Sequence, residues 1–160
     1  VQRWQLDGLI LTGGDDLGGS PQRDETETVL LDFAQANELP VFGVCRGLQL
    51  LQARCGGPVR KLGKHVGTRH RVQWIDARVA ADAHEFEVNS FHNKGIRRDE
   101  LAEALLAVAV DPDGWIEAAR HRTAPILGVM WHPERERPYR PGDAQLIRQT
   151  LRLEVSKSEA

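Results

Sequence analysis

Pro40-Val41-Phe42-Gly43-Val44 is apolar at consecutive rather than alternate positions. A strand of that kind has both faces covered, as in a parallel sheet whose crossover helices pack on either side. Its surroundings agree. Residues 6–11 read as a strand, closed by Thr12-Gly13-Gly14-Asp15-Asp16, and residues 17–22 read as a loop from their Gly, Ser and Pro. Asp24 with Glu27 three residues on has the form of a capping box. In the helix that should follow, Thr26, Val29, Leu30, Phe33 and Asn37 share one face. After Val44, residues 46–55 read as a largely buried helix stopped by Gly56-Gly57-Pro58. Strand, helix, strand, helix predicts an α/β fold with right-handed crossovers.

The middle of the chain is less regular. Residues 69–75 alternate moderately, and residues 86–91 form a candidate strand. Residues 104–110 and 115–119 flank Asp111-Pro112-Asp113-Gly114, which reads as a hairpin turn. Residues 126–130 give a last apolar strand, and Ile147, Leu151 and Val155 mark a closing amphipathic helix. Residues 1–155 are expected to form one domain, with 156–160 a frayed polar tail.

Composition excludes several classes. The 160 residues carry 21 basic and 23 acidic side chains, so charge gives no case for nucleic acid or a membrane surface. No apolar run reaches the length of a membrane span, and no signal-peptide pattern is present. Two Cys do not make a disulfide framework, which points to a reducing, cytoplasmic setting. His65, His70 and His92 with the two Cys raise a zinc reading. No Cys-x-x-Cys or His-Glu-x-x-His spacing supports it, and no metal is expected. No Gly-x-Gly-x-x-Gly precedes a helix, so a dinucleotide site is not expected either.

The chemistry concentrates in Gly43-Val44-Cys45-Arg46-Gly47. Gly-x-nucleophile-x-Gly at a strand-to-helix junction is the setting of a nucleophile elbow, whose tight turn demands small flanking residues. It would lift the Cys45 sulfur to a helix N-terminus, where the dipole favours thiolate. The backbone N–H of Arg46 could then serve a developing oxyanion. The bland alternative is a buried Cys between glycines. Cys55, on the buried helix face, reads as a small core residue.

A Cys nucleophile needs a base and a group to orient it. His132, in Met130-Trp131-His132-Pro133-Glu134, follows the last apolar strand, and Glu134 lies two residues on, pointing the same way in extended chain. The alternative is a solvated His beside the charge run 134–137. Gly14, in the paired glycines after the first strand, could supply a second oxyanion donor, or belong to a plain turn.

Taken together, residues 7–14, 43–50 and 128–134 resemble the class I glutamine amidotransferase superfamily, and Val88-Asn89-Ser90-Phe91-His92-Asn93 resembles its γ-glutamyl hydrolase (peptidase C26) branch. Within it, Arg23-Asp24-Glu25, residues 64–70 and residues 131–136 are similar to the γ-glutamyl-CDP-amidate hydrolases of capsule phosphoramidate assembly. The resemblance implies a flavodoxin-like three-layer fold with a mostly parallel central sheet and helices on both faces. It implies Cys45 as nucleophile, His132 as base, Glu134 as orienter, and oxyanion donors at the backbone of Gly14 and Arg46. It implies substrate contacts at Gln49, Thr68, Arg69, His70, Ser90, Phe91 and His92.

The expected reaction is cofactor-free hydrolysis of a small-molecule γ-glutamyl amide. A glutamyl thioester forms on Cys45 and water releases glutamate. Arg46, Arg69 and Arg135 are candidates for a diphosphate on the leaving group. The alternatives are a γ-glutamyl-γ-aminobutyrate-type hydrolase, a glutaminase subunit passing ammonia to a synthase partner, and a non-catalytic binding domain. Relatives carry a strand and helix ahead of the segment matching residues 7–11, whereas this chain opens at Val1 without a Met. The resemblance therefore predicts a missing first β-α unit and exposed apolar surface on the sheet.

Overall fold

The computed structural model describes residues 5–63, 65–79 and 84–153. The sequence expectations placed on the chain opening, Lys64, Val155 and the tail lie outside these residues.

The first half follows the expected alternation. β1 (Leu9–Leu11), α1 (Pro21–Ala36), β2 (Val41–Val44) and α2 (Arg46–Arg54) succeed one another. A short β3 (Arg60–Lys61), β4 (Val66–Trp74), β5 (Glu85–Phe91) and a short β6 (Lys94–Gly95) come next. β7 (Leu105–Val110), β8 (Ile116–His121), β9 (Ile126–Val129) and α3 (Pro141–Leu151) complete the order. Asp111 shapes the β7–β8 turn: its Oδ1 accepts from the backbone N–H of Asp113 and Trp115, while Gly114 takes a positive φ. Among the described residues, no helix is long and apolar enough to cross a membrane.

The main sheet has seven strands in the order β1-β2-β9-β8-β7-β4-β5. β1, β2 and β9 are parallel, and β9, β8, β7, β4 and β5 continue antiparallel. The expectation of a mostly parallel sheet therefore holds for the three strands at one side and fails for the rest. The physical reason is local. The connections between β7 and β8 and between β4 and β5 are shorter than the dozen or so residues a crossover to a parallel neighbour requires, so each pair returns as a hairpin.

Helices cover both faces. On one, Leu31 and Ala34 of α1 and Leu48 and Leu51 of α2 close a core with Leu11, Val41 and Ile126. On the other, Leu146 of α3 packs with Phe42, Val44, Leu127, Val129 and Trp131. β2 contributes to both cores, as its continuous apolar run requires.

α1 departs from expectation in start and face. It begins at Pro21, preset for the first helical turn, and not at Asp24. Asp24 and Glu27 do not form a capping box; both accept from the guanidinium of Arg46 on α2. That ion pair turns Glu27, Leu31 and Ala34 inward and leaves Val29 58% exposed. At the edge of the sheet, Ile10 of β1 is 54% exposed.

Candidate functional site

Parallel register positions the site. Val44 of β2 lies beside Val129 of β9, so both chains leave the same sheet edge together. The backbone N–H of Cys45 donates to Val129 O at 2.7 Å. Cys45 then adopts φ 49° and ψ −98°, a conformation that costs a non-glycine residue on the order of 1–3 kcal/mol. The glycines around it cannot be replaced freely. A Cβ on Gly43 would sit 2.9 Å from the Gly47 carbonyl carbon, and one on Gly47 2.5 Å from Leu11 O. The turn is thus the strained elbow the spacing implies.

Cys45 is buried, and burial pushes its thiol up to about 11, outweighing the pull of the Arg46 backbone N–H toward the thiolate. The expectation that the helix N-terminus alone favours thiolate is corrected here: desolvation wins, and the sulfur needs a base.

His132 lies just past β9, 3% exposed. Its Nδ1 bonds Glu134 Oε1 at 2.7 Å, which fixes Nδ1 as the protonated nitrogen and leaves the Nε2 lone pair free. Nε2 is buried without a hydrogen-bond partner among the described residues. A Cβ on Gly13 would fall 2.6 Å from His132 Cε1, so the glycine loop after β1 forms the seat of the ring.

Two side chains absent from the sequence-derived site hold that geometry. Asn89 of β5 donates Nδ2 to His132 O and to Glu136 Oε1, each at 2.8 Å, while its Oδ1 accepts from His132 N at 2.9 Å. Arg23 of α1 donates to Thr12 O and Gly13 O, each at 3.0 Å, and bonds Glu27. The available signals were slight: an Asn between Val88 and Ser90 in a strand that already carries two Glu, and an Arg four residues before Glu27.

Cys45 lines a cleft of about 500 Å³ with Gly14, Asp15, Asp16, Gln49, Val66, Phe91, His92 and Asn93. His132 and Glu134 line an adjoining cavity of about 320 Å³ with Ile10, Thr12, Gly13, Phe42 and Val44. Gly14 borders both. The Phe91 ring packs edge-on against His132 at 5.8 Å, and the Arg135 guanidinium covers Phe91 at 4.5 Å.

The other expected contacts divide. Gln49, Phe91 and His92 face the Cys45 cleft. Ser90 does not: it is fully buried and donates Oγ to His65 O at 2.7 Å. Thr68 and Arg69 are exposed on β4, and the Arg69 guanidinium pairs with Glu136 at 3.0 Å. His70 turns toward Glu117. The Arg46 side chain, 2% exposed and paired with Asp24 and Glu27, is spent inside the protein and is not available to a diphosphate. Cys55 is half-buried at the end of α2.

Comparisons with known proteins bear on the family and the fold. The chain is 32% identical over 134 residues to the gamma-glutamyl-CDP-amidate hydrolase of Campylobacter jejuni, covering 80% of this chain and 62% of that protein. It is 30% identical over 166 residues to the gamma-glutamyl-gamma-aminobutyrate hydrolase of Escherichia coli O157:H7, covering 81% and 65%. It therefore spans about two thirds or less of those curated relatives. The Trypanosoma brucei CTPS glutaminase domain with bound acivicin superposes with a TM-score of 0.74 over 94% of this chain and 73% of that one, at 17% identity. Residues 3–134 match the Peptidase C26 family, and the chain belongs to it.

Proposed function

We propose that the protein is a cysteine-dependent hydrolase of γ-glutamyl C–N bonds. The observation that carries this reading is the meeting, at one edge of parallel strands, of a strained Cys45 and a His132 oriented by Glu134. His132 Nε2 takes the Cys45 proton, and the thiolate attacks the γ-carbonyl. The N–H groups of Arg46 and Gly14 receive the oxyanion; losing one such donor typically costs about 100- to 1000-fold in rate. His132 then protonates the leaving nitrogen, and water cleaves the glutamyl thioester to free glutamate. Burial of the thiol suits this scheme, because an uncharged sulfur waits until substrate and base are both in place.

The leaving group we favour is the CDP-amidate, giving cytidine diphosphoramidate, as the name of the C. jejuni relative suggests. In this reading the half-exposed Arg135 beside Phe91 meets its diphosphate. A panel of γ-glutamyl-CDP-amidate, γ-glutamyl-γ-aminobutyrate and glutamine, assayed for glutamate release, tests the assignment. The expected order puts the CDP-amidate first. Preference for glutamine, raised by an added synthase, would replace this reading with that of an amidotransferase subunit. Absence of turnover on all three would overturn it.

A further inference from the structure

Behind the cleft wall, three imidazoles and one carboxylate converge from distant parts of the chain. His65 precedes β4, His70 lies on it, His92 follows β5, and Glu117 lies on β8. One ligand atom from each lies within 4.8 Å of all the others. Glu117 Oε1 is 3.7 Å from His70 Nε2 and 3.9 Å from both His65 Nδ1 and His92 Nε2.

The opposite ring nitrogens decide the protonation. His92 Nδ1 meets Lys94 O at 2.9 Å and His70 Nδ1 meets Arg71 O at 3.1 Å. A carbonyl only accepts, so both Nδ1 atoms carry the hydrogen and both Nε2 atoms present lone pairs. His65 Nε2 lies 3.5 Å from Asp111 Oδ2, so the tautomer with its hydrogen on Nε2 turns a proton to that carboxylate and the Nδ1 lone pair inward. Three imidazole lone pairs thus face a carboxylate that is itself an acceptor. These atoms, with both oxygens of Glu117, are buried and have no hydrogen-bond partner among the described residues. A single proton could satisfy one of the contacts; a cation at the centre would satisfy all four.

We propose that His65, His70, His92 and Glu117 form a closed four-ligand site for a divalent transition ion, zinc first. Three imidazole nitrogens and one carboxylate oxygen suit a tetrahedral zinc shell, and the set leaves no open position for a substrate. Bonds of about 2.1 Å put tetrahedral ligand atoms about 3.4 Å apart, so an inward shift of up to about 0.8 Å per atom closes the shell. The outer partners Lys94 O, Arg71 O and Asp111 orient the rings as carbonyl and carboxylate partners do around bound zinc.

The ion also has work in the fold. Among the described residues, the β4–β5 hairpin pairs with β7 through a short ladder, Gln73 with Val110 and Trp74 with Ala109. The four ligands tie its far end to β8. That end supplies Val66, Phe91, His92 and Asn93 to the Cys45 cleft.

The test uses tag-free protein, stripped with a chelator, incubated with Zn²⁺ and desalted, with metal measured by mass spectrometry. One zinc per chain is expected, with a Tm rise of roughly 5–10 °C at a hundredfold excess over Kd. Co²⁺ in its place should show the intense visible bands of four-coordination. Glu117→Gln, which keeps the side-chain shape, should lose both the retained metal and the Tm response. His70→Gln, at the half-buried rim, should do the same if the first variant does not fold. Wild-type protein that desalts metal-free with an unmoved Tm overturns the site, as do folded variants that retain zinc like wild type. These readouts do not depend on hydrolase activity, so the two proposals fail separately.

Discussion

The parallel and antiparallel halves of the sheet build the site in different ways. β1, β2 and β9 end at one edge, so register brings the turns at residues 12–14, 45–47 and 132–134 to the same side. Each turn carries its chemistry within a few consecutive residues. The antiparallel half works from mid-strand and from hairpin ends: Asn89 clamps His132, and Glu117 gathers three histidines from either side of the β4–β5 hairpin. The parallel half carries the reactive groups we propose. The antiparallel half supplies their support and the cleft wall.

If the division is right, damage to the parallel half abolishes chemistry while damage to the antiparallel half weakens it. Cys45→Ala should reduce glutamate release by at least about 10⁴-fold with the fold retained, as circular dichroism would confirm. Comparable turnover in that variant would break the comparison outright. Arg46→Met leaves Asp24 and Glu27 without their buried cation and should lower stability by about 3 kcal/mol in denaturant unfolding. Asn89→Ala leaves the buried His132 N–H without its acceptor and removes one of the donors to Glu136, and should cost about 2 kcal/mol. It should also lower kcat more than it raises KM, since it releases the base and leaves Gln49, Phe91 and His92 in the cleft. A pure stability loss with unchanged kcat would assign Asn89 to the fold alone.

The smallest effect is in pH. Burial holds the Cys45 thiol at about 11, against an ordinary value of 9.0. A raised value contributes stability that is full below 9.0 and lost as pH climbs through 11. Wild type should therefore lose more Tm than Cys45→Ala between these limits, and the two should run parallel below pH 8. Parallel curves throughout would place the thiol in water.

Legibility in the sequence follows the same division. The Gly-x-Cys-x-Gly elbow, the apolar β2 and the His132–Glu134 spacing are local patterns, and local patterns survive in one dimension. The face of α1 is not legible in this way because apolar periodicity does not register an ion pair: Glu27 turns inward for Arg46, and Val29 turns out. The thiolate expectation considered the helix dipole without the desolvation that burial imposes on Cys45. Glu117 carried a faint signal, an acid inside the strand Ile116–His121. Its partnership with His65, His70 and His92 arises only when β8 and the β4–β5 hairpin fold together, which no spacing records.

The central claim is that Cys45 is the nucleophile of a γ-glutamyl pocket. Incubation with a glutamine-analogue electrophile such as acivicin, followed by intact mass and peptide mapping, reads it directly. The account predicts one adduct, on Cys45, slowed by a γ-glutamyl substrate and absent in Cys45→Ala. An unmodified protein, or an adduct confined to Cys55, would contradict it.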